Sequence, residues 1–438
     1  MHRNRQKQTT VLRAAATLLS ATIIAAAGAQ AADPQAPAAG VLRVATYNVA
    51  MYRQQAGQLQ AELLRGDSQQ AKRIAEVIQR VRPHVILLNE FDYAAGSSRR
   101  ENYDAAEFTR RPSELVGALK RLYLERPQAG REPISFQHQF YKPVNTGVDS
   151  GLDLDKDGKT GGPADAWGYG RYPGQYGMLL LSQFPIGPES RTYQQMRWRE
   201  LADPLWPRDP ATGEHFYSAE QRRALRLASK SFWDVELLIE QPGARRRPLR
   251  LLCAHPTPPG FDGPEDRNGC RNYDEIRMIA EYISGDRQSR FPVDNDGHRS
   301  EDQQYGTLAP GADFVVLGDL NADPVDGNGR RGAIQQLLEH PRINAGFIPT
   351  SEGGAAASAE STDRNGQHRG DPRHDTADFG GDGYSNLRVD YVLPSRGIKV
   401  AGGGVYWPTP GEPGAEAIAA SDHRLVWLDL LLPQEGGE

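Results

Sequence analysis

Short apolar runs recur along the chain, and several of them end in a polar residue. Leu42–Val49 alternates apolar and polar side chains, which predicts a strand, and the apolar run Val85–Leu88 predicts a second, buried strand. Between them, apolar residues recur at helical spacing after Ser68, which predicts a capped helix over Gln69–Val81. This strand–helix–strand opening predicts strands packed beneath helices.

The rest of the chain carries more strands than helices. The predicted strands are Gly177–Ser182, Phe232–Ile239, Leu249–Ala254, Phe314–Leu317, Arg388–Leu393 and Arg424–Leu432, and the predicted helices are Pro112–Glu125, Tyr273–Ser284 and Arg331–Glu339. The glycine-rich, polar segments Tyr141–Tyr176 and Gly353–Gly383 are predicted to be surface loops. No element is predicted for Arg191–Arg222. The chain therefore predicts one α/β domain with insertions at about 141–176 and 191–222.

The N-terminus has the features of a targeting segment. A basic start, the apolar stretch Ala14–Ala27 and a small-x-small motif before Ala32 predict a cleavable signal peptide over residues 1–31. An uncleaved anchor is the alternative, but the apolar run is short for a membrane span. A linker over 32–40, a catalytic domain over 41–433 and a tail over 434–438 follow. We therefore expect a secreted or periplasmic monomer without a transmembrane segment after cleavage.

Charge and cysteine content narrow the classes of partner. Residues 1–31 carry four Lys/Arg and no acid, so their removal changes the net charge from −5 to −5 − 4 = −9. An acidic protein does not bind polyanions in general, and a phosphate substrate would need a local basic patch or a metal. Cys253 and Cys270 form an even pair, for which an exported protein favours a disulfide, with two buried thiols as the alternative.

Polar residues that lie at or near the ends of predicted strands supply the candidate chemistry. They are Asn48, Glu90, His255, Asp319, Asn321, Asp390, Asp422 and His423. Each alone is an ordinary loop or capping residue, but ligands bind at the strand ends of α/β sheets, which favours a common site. In Phe314–Pro324, Asp319 and Asn321 are two residues apart, so an extended chain would point both side chains the same way. A plain turn is the alternative for this pair.

The segments around these residues resemble the endonuclease/exonuclease/phosphatase superfamily, which has the DNase I-like fold. The matching segments, in the family's order, are ATYNV, VILLNEFD, GMLLLSQFPI, LLCAHP, VVLGDLNADP, LRVDYVLPS and SDHRLVWLDL. The resemblance implies a four-layer α/β sandwich of two mixed β-sheets flanked by helices. It also implies Mg²⁺-dependent hydrolysis of a phosphoester, with Mn²⁺ as a possible substitute.

The resemblance also implies which residues hold the metal. Glu90 is the main ligand by this comparison, with Asn48 and Asp422 nearby. Carboxylate and amide oxygens suit a hard divalent cation, which lowers the negative charge of a phosphate ester.

The same resemblance implies the roles of the other polar residues. Asp319 would orient or deprotonate the attacking water, and Asn321 would donate a hydrogen bond to the phosphoryl group. His423 would bind the scissile phosphate as an imidazolium, and Asp390 would hold its ring. His255 would contact phosphate or help to protonate the leaving oxygen.

Two loops depart from the family pattern or add to it. Arg267 and Asn268 follow His255 in a distinctive loop, where they either approach the phosphate or cap the loop. Asp153, Asp155 and Asp157 match the first half of a calcium loop, which predicts a separate structural Ca²⁺ site, whereas a solvated acidic loop is the alternative.

Three functions remain open from the sequence. We favour an exported, metal-dependent nuclease or other phosphodiesterase that uses in-line attack of activated water. A phosphatase or phospholipase for inositol phosphates or sphingomyelin-like headgroups is the second, and Trp198–Trp206 is its candidate membrane loop. A non-catalytic binding protein on the same scaffold is the third. The partner is accordingly a nucleic acid, a phosphorylated small molecule or a lipid headgroup.

Overall fold

A computed structural model describes residues 33–93, 113–239, 247–285, 290–295, 298–361, 363–380 and 385–433. The predicted signal peptide over 1–31 and the tail over 434–438 lie outside the described residues. Residues 33–40 of the predicted linker form no helix or strand, and Asp33 contacts Arg80 and Arg131. Among the described helices, none combines the length and the apolar character that crossing a membrane requires.

The regular elements alternate with long irregular connections. The strands are β1 (Leu42–Met51), β2 (Val85–Phe91), β3 (His138–Phe140), β4 (Met178–Ser182), β5 (Arg191–Thr192), β6 (Phe232–Ile239), β7 (Arg247–Ala254), β8 (Arg290–Asn295), β9 (His298–Gly306), β10 (Phe314–Asp319), β11 (Ala377–Asp378), β12 (Asn386–Leu387), β13 (Asp390–Pro394), β14 (Lys399–Val405) and β15 (Val426–Leu431). The helices are α1 (Gln58–Arg65), α2 (Gln69–Val81), α3 (Ala219–Ala224), α4 (Arg267–Ser284), α5 (Gln335–Leu338) and α6 (Glu352–Glu360). Residues 113–119 are also helical and continue into a π-helical turn at Lys120–Leu124.

Two mixed sheets form the centre of the fold. The first has the order β14-β15-β1-β2-β4-β3, and the second has the order β13-β10-β7-β6-β5. β1 and β2 pair in parallel, as do β7 and β10, whereas the other pairs in these sheets are antiparallel. The strand–helix–strand opening predicted from the sequence is therefore confirmed.

Two hydrophobic clusters hold the layers together. One joins α2, the 113–124 helix and the first sheet to the inner face of the second sheet, through residues such as Val235 and Leu317. The other packs the outer face of the second sheet, including Phe314 and Val316, against α4 and α5. The result is the four-layer α/β sandwich that the sequence predicts, because each sheet is buried on both faces.

The long loop predicted over 141–176 is present but is not confined to the surface, and the loop predicted over Gly353–Gly383 is wrong because its first part is helical. In 141–176, Asn145 is fully buried, and its amide donates to the carbonyls of Gln194 and Ala228, so the loop is packed into the fold. In Gly353–Gly383, Ser351 caps α6 by accepting a hydrogen bond from Gly354 N. Apolar periodicity missed α6 because its sequence is mostly Ala and Gly, which gives no amphipathic stripe.

The segment 191–222 is part of the second core cluster. Trp198 is fully buried, and its Nε1 donates to Asp274 Oδ2 at 2.6 Å. Its ring packs against Trp206 with centroids 4.7 Å apart. The suggestion that Trp198–Trp206 forms an exposed membrane loop is therefore wrong, because these rings stabilise the interior.

The expected disulfide is also wrong in this structure. Cys253 lies in β7 and Cys270 lies in α4, and both are free, buried thiols. Burial raises the pKa of both thiols, which disfavours the reactive thiolate. The two cysteines therefore behave as small apolar core residues.

Candidate active site at the ends of the two sheets

The sheet registers bring the predicted polar residues to one edge. Asn48 of β1 lies opposite Asn89 of β2, near the carboxyl ends of two parallel strands. In the second sheet, Asp319 ends β10 and lies opposite Asp390, which begins the antiparallel strand β13. His423 lies just before β15, which pairs with β1. The site is thus built from both sheets where their strand ends meet.

Asp319 lies at the centre of this group and is almost fully buried. Its Oδ2 accepts a hydrogen bond from Asn48 Nδ2 at 3.0 Å. The same oxygen lies 3.5 Å from His255 Nε2 and 3.7 Å from His423 Nε2. Because these side chains converge on one carboxylate oxygen, that oxygen is placed to accept a proton from a bound water.

His423 and Asp390 form a buried ion pair beside Asp319. His423 Nδ1 lies 2.8 Å from Asp390 Oδ2, which also accepts a hydrogen bond from Thr376 Oγ1 at 2.8 Å. Burial alone would lower the pKa of His423, but the charges of Asp390 and Asp319 outweigh it and raise that pKa to about 10. His423 is therefore an imidazolium at neutral pH, with Nε2 directed towards Asp319 and Asn48.

Glu90 and Asn48 form the neighbouring part of the site. Burial raises the pKa of Glu90 to about 7, although His423, Lys230 and a hydrogen bond with Asn48 oppose this effect. These favourable interactions only partly offset burial, so the carboxylate oxygens of Glu90 fit a divalent cation that would supply further positive charge. Asp422 is exposed, and its charge acts on both Tyr52 and His423, which places it beside the same pocket.

A second group of side chains, which includes His423, fits a metal ion less well because of the positive charge of His423. Oxygen or nitrogen atoms of Asp319, Asp390 and His423 lie within 4.8 Å of one another. Metal ligation requires a neutral imidazole, whereas His423 is held as an imidazolium by two carboxylates. Glu90 and Asp422, the carboxylates that the resemblance implies as ligands, do not belong to this cluster.

Backbone strain occurs at two of the site residues. Glu90 has φ 57° and Asn321 has φ 51°, both in the left-handed region. This region costs a residue with a Cβ about 1–2 kcal/mol. The sheets therefore hold these two residues in conformations that they would not adopt by themselves.

Asn89 links the first sheet to the second directly beneath the site. Its Oδ1 accepts hydrogen bonds from Thr46 Oγ1 and from the backbone N–H of Asp319, both at 3.2 Å. Its Nδ2 donates to Ala254 O at 3.4 Å. The close approach of β7 and β10 requires Gly318, where an added Cβ would lie 1.9 Å from Ala254 O. Together these contacts set the position of Asp319 relative to β2.

His255 is fully buried, and its environment argues against a role as proton donor. Burial lowers its pKa well below the usual value, and the charges of Lys230 and His423 add to this effect. Nδ1 has no hydrogen-bond partner among the described residues. Nε2 of the neutral His255 lies 3.5 Å from Asp319 Oδ2, so this ring can interact with the carboxylate only as a donor.

The expected geometry of Asn321 is wrong, because β10 ends at Asp319 and the chain turns. Asn321 N donates to Asp319 Oδ1 at 2.9 Å, and its Nδ2 donates to Pro256 O at 3.1 Å. The turn, rather than an extended strand, keeps the amide beside the carboxylate. Asn268 donates to Gly260 O and its backbone N–H to Asp262, so the loop-capping alternative is the correct one there.

Sequence reasoning missed several residues around the site. Lys230 is buried, and carboxylates of the site act on its charge. Asp92, whose pKa burial raises to about 7, accepts a hydrogen bond from Tyr176 N at 2.8 Å. The Tyr176 ring then contacts Tyr52, with centroids 4.8 Å apart. Lys230 and Tyr176 lie in no matching segment, whereas Asp92 ends the matching segment VILLNEFD, a signal that could have identified it.

Exposed aromatic rings lie near the site residues. Tyr52 and Tyr169 are 37% and 57% exposed, and the charge of Glu90 acts on both Tyr52 and Tyr176. Phe379 is 41% exposed, and its ring meets His423 edge-on with centroids 5.2 Å apart. Exposed ring faces therefore lie beside the cation position and beside the imidazolium.

The predicted calcium loop brings together a different set of carboxylates from the one expected. Oxygens of Asp153, Asp155 and Asp165 lie within 4.8 Å of one another. Asp157 is exposed and accepts a hydrogen bond from Lys159 N at 2.8 Å. Asp153 Oδ1 is buried without a hydrogen-bond partner among the described residues.

Most of the chain resembles one family of known proteins. The model of the Endonuclease/Exonuclease/phosphatase family matches residues 45–423. No curated protein matches the chain significantly.

Solved structures give weak similarity over most of the chain. An endonuclease/exonuclease/phosphatase from Beutenbergia cavernae is 17% identical, with a TM-score of 0.42, and 90% of this chain and 72% of that chain are covered. Sphingomyelinase C from Streptomyces griseocarneus is 14% identical, with a TM-score of 0.39 and coverages of 89% and 99%. The human Nocturnin catalytic domain, with bound sulfate, is 14% identical, with a TM-score of 0.36 and coverages of 89% and 93%. Similarity at these TM-scores carries no argument about activity.

Proposed function

Because the chain belongs to the endonuclease/exonuclease/phosphatase family, we propose that it hydrolyses a phosphoester with the help of a divalent cation, Mg²⁺ or Mn²⁺. The observation that carries this proposal is the convergence of Asn48, His255 and His423 on Asp319. The buried carboxylate can accept a hydrogen bond from a water, and the imidazolium that faces it can donate one to a phosphoryl oxygen.

Each residue of the site has a separate role in the proposed reaction. Asp319 accepts the proton of the attacking water. His423 stays protonated because of Asp390, so it donates a hydrogen bond where negative charge develops on the phosphoryl group. Asn48, Glu90 and Asp422 would hold the cation, which supplies charge neutralisation for the phosphate ester when it is bound.

A simple assay tests this proposal. Wild-type protein is assayed on bis-p-nitrophenyl phosphate with Mg²⁺ and with EDTA, beside His423→Ala. His138→Ala is the matched control, because His138 lies on the edge strand β3 away from the site. We expect metal-dependent turnover that His423→Ala abolishes and His138→Ala retains. Turnover that is unaffected by EDTA or by His423→Ala would contradict the proposal, and no turnover on any phosphoester would favour a binding protein.

The exposed aromatic rings beside the site favour a phosphodiester substrate over a small phosphomonoester. A diester has an organic group on each of two ester oxygens, and two exposed rings are available to contact them, Tyr52 near Glu90 and Phe379 beside His423. Planar bases stack on such rings at about 1–3 kcal/mol each, so a nucleic acid or nucleotide diester is the preferred substrate. Trp198 is buried in the core, so the one segment that suggested binding to a lipid surface does not support that alternative.

A substrate panel separates the remaining possibilities. Plasmid DNA, RNA, sphingomyelin, inositol polyphosphates and p-nitrophenyl phosphate are each incubated with Mg²⁺ or Mn²⁺. We expect nucleic acid or another diester to give the highest rate, and Tyr52→Ala with Phe379→Ala to lower that rate more than the rate on p-nitrophenyl phosphate, which carries a single ring. A higher rate on inositol polyphosphates or sphingomyelin would establish the phosphatase or phospholipase alternative.

We also propose a structural Ca²⁺ site at Asp153, Asp155 and Asp165, supported by the unpartnered oxygen of Asp153. Calorimetric titration of metal-stripped protein with Ca²⁺ should show binding that Asp153→Asn removes. Asp157→Asn is the control, because Asp157 lies outside the cluster. Identical titrations of wild type and Asp153→Asn would exclude the site.

Export as a monomer remains a proposal that the basic and apolar N-terminus supports. N-terminal sequencing of protein recovered from an expressing bacterium should begin at Ala32, and retention of Met1 would contradict export with cleavage. Light scattering of the processed protein should give the mass of one chain, and a dimer mass would contradict the monomer.

A further inference from the structure

The turn that carries Asp422 and His423 is tied to two other segments by hydrogen bonds. Ser421 Oγ donates to Asn48 O at 2.8 Å and accepts a hydrogen bond from His423 N at 3.1 Å. Asp422 O accepts a hydrogen bond from Asp378 N in β11 at 2.8 Å. The turn is therefore joined to β1 on one side and to β11 on the other, and its middle carbonyl has a partner in β11.

Arg424 supplies the donors for the carbonyls on either side of that middle one. Its Nη1 donates to Ser421 O at 2.9 Å and to His423 O at 3.0 Å. A terminal guanidinium nitrogen carries two hydrogens, so one atom can satisfy both carbonyls at once. The backbone N–H of Arg424 also donates to Thr376 O at 2.7 Å. Three successive carbonyls, from Ser421 to His423, are therefore fixed by hydrogen bonds.

The guanidinium group of Arg424 is itself held inside the fold. Only 7% of Arg424 is exposed, and its Cζ lies 4.2 Å from the centroid of the Trp407 ring, which is also buried. Arg424 Nε is buried without a hydrogen-bond partner among the described residues. Burying a charged group and leaving one of its donors unpaired both destabilise a folded protein. Unfavourable features of this kind are typical of residues that serve a functional site.

A purely structural cap is the ordinary role for such an arginine, and the chain contains one for comparison. Arg342 Nη1 donates to Ile283 O at 2.7 Å, and its Nη2 donates to Ala309 O at 3.0 Å. Its Cζ lies 5.4 Å from the centroid of the Phe314 ring. Arg342 and Arg424 thus have the same kind of contacts. The carbonyls that Arg424 contacts differ in that they flank a proposed cation ligand and belong to the turn of the site.

We propose that Arg424 is a positioning residue, which fixes the orientation of Asp422 towards the cation and of His423 towards the phosphoryl group. This inference rests on the proposed phosphoester hydrolysis. Rotation of the backbone between these two adjacent residues would move either side chain away from its ligand. The carbonyl contacts of Arg424 oppose that rotation, and a misplacement of about 1 Å in an active site is enough to lower the rate about 10²-fold.

The charge of Arg424 and its geometry have opposite effects on cation binding. The carboxylate of Asp422 interacts with the charge of the guanidinium group. A positive charge near the ligands repels a divalent cation, so loss of that charge alone would strengthen cation binding. Loss of the carbonyl contacts would instead weaken binding, because Asp422 would no longer be held towards the cation. The sign of the change in affinity therefore separates the two effects.

Arg424→Met tests the proposal, because methionine fills much of the same space and removes both the charge and the donors. Arg424→Lys keeps the charge on a flexible stem without the fixed fork of the guanidinium group. Arg342→Met is the matched control, because it removes an arginine that caps carbonyls elsewhere. All proteins carry Asp153→Asn, which removes the proposed Ca²⁺ site from the titration.

The primary measurement is Mn²⁺ affinity by electron paramagnetic resonance. The value of kcat on bis-p-nitrophenyl phosphate is measured beside it, and thermal unfolding shows that each variant is folded. We expect Arg424→Met to weaken Mn²⁺ binding and to lower kcat, each by about 10–100-fold, as the loss of residues that orient metal ligands does. Arg424→Lys should remain below the parent protein in both. Arg342→Met should unfold at a lower temperature but keep the Mn²⁺ affinity and kcat of the parent protein.

Unchanged or tighter Mn²⁺ binding in Arg424→Met would overturn the inference even if kcat falls, because Arg424 would then act through its charge or through stability alone. An equal loss of Mn²⁺ affinity in Arg342→Met would also overturn it. If Arg424→Met does not fold, Arg424→Lys is judged by the same measurement, and affinity equal to that of the parent protein would overturn the inference.

Failure of the proposed function gives a different result. In that case the parent protein shows no metal-dependent hydrolysis, and Mn²⁺ binding alone decides. Binding that Arg424→Met weakens and Arg342→Met does not would still support the positioning role. Equal binding by the parent protein and Arg424→Met, or binding by neither, would overturn it.

Discussion

Cation binding should release a proton from Glu90. Burial raises the pKa of Glu90 to about 7 in the metal-free protein, against an ordinary value of 4.5. A carboxylate ligand must be deprotonated, so the apparent Kd for Mg²⁺ scales with 1 + 10^(pKa − pH). Between pH 8 and pH 6 this factor rises about tenfold, and at pH 7 binding releases about half a proton. Because His423 has a pKa of about 10, its charge does not change across this range.

Calorimetry in buffers of different ionisation enthalpy measures both quantities at once. Asp92 requires a control, because burial raises its pKa to about 7 as well. Asp92→Asn should therefore retain the proton release and the pH dependence if Glu90 is their source. An apparent Kd that changes less than about twofold between pH 8 and pH 6, without proton release, would refute the assignment of Glu90 as a desolvated ligand.

The same shift has a consequence for stability in the absence of metal. The pKa of Glu90 is raised in the folded protein, so the folded state binds more protons than the unfolded state between about pH 4.5 and pH 7. The contribution of Glu90 to the unfolding free energy therefore decreases as pH rises through this window. Mg²⁺ at pH 8 should restore it, as measured by urea denaturation.

Three further predictions follow from the site and the core. Asp390→Asn should lower the pKa of His423 from about 10, because Asp390 is the strongest of the charges that raise it. The alkaline limb of the pH–rate profile should therefore move to lower pH. An alkaline limb that does not move would contradict the ion pair between His423 and Asp390. Glu90→Gly should be more stable than Glu90→Ala by about 1 kcal/mol in metal-free urea denaturation, because only glycine relieves the strain at φ 57°, and equal stabilities would argue against that strain. Thiol titration in guanidinium chloride without reductant should detect both Cys253 and Cys270, whereas a result of no thiols would reinstate the disulfide.

Residues at the ends of apolar runs could be predicted from the sequence. Asn48, Glu90 and Asp319 each follow a run whose burial and register the structure confirms. The family segments supplied His423 and Asp390 as a pair, and their Nδ1–Oδ2 distance of 2.8 Å agrees with that prediction. At these positions an apolar run and a short sequence motif both indicated the site.

Other parts of the fold carry no such local signal. β14 contains three consecutive glycines, so strand propensity is low, and pairing with β15 makes it a strand. Lys230 is distinguished only by its burial, which depends on long-range packing. The position of Asn321 depends on where β10 ends, and element boundaries are the weakest part of a sequence-based prediction.

The side-chain amide of Asn89 couples the spacing between the two sheets to the geometry of the candidate active site. It joins β2 to the backbone N–H of Asp319 and to the carbonyl of Ala254, and Glu90 is the next residue along the chain. The packing between the two sheets therefore sets the position of Glu90 relative to Asp319, the residues that we propose to bind the cation and to activate water. Swelling or thinning of the inter-sheet core, for example at Leu317 or Val235, should alter catalytic spacing before it unfolds the protein. Core substitutions far from solvent thus belong among the determinants of reaction rate in this enzyme family member.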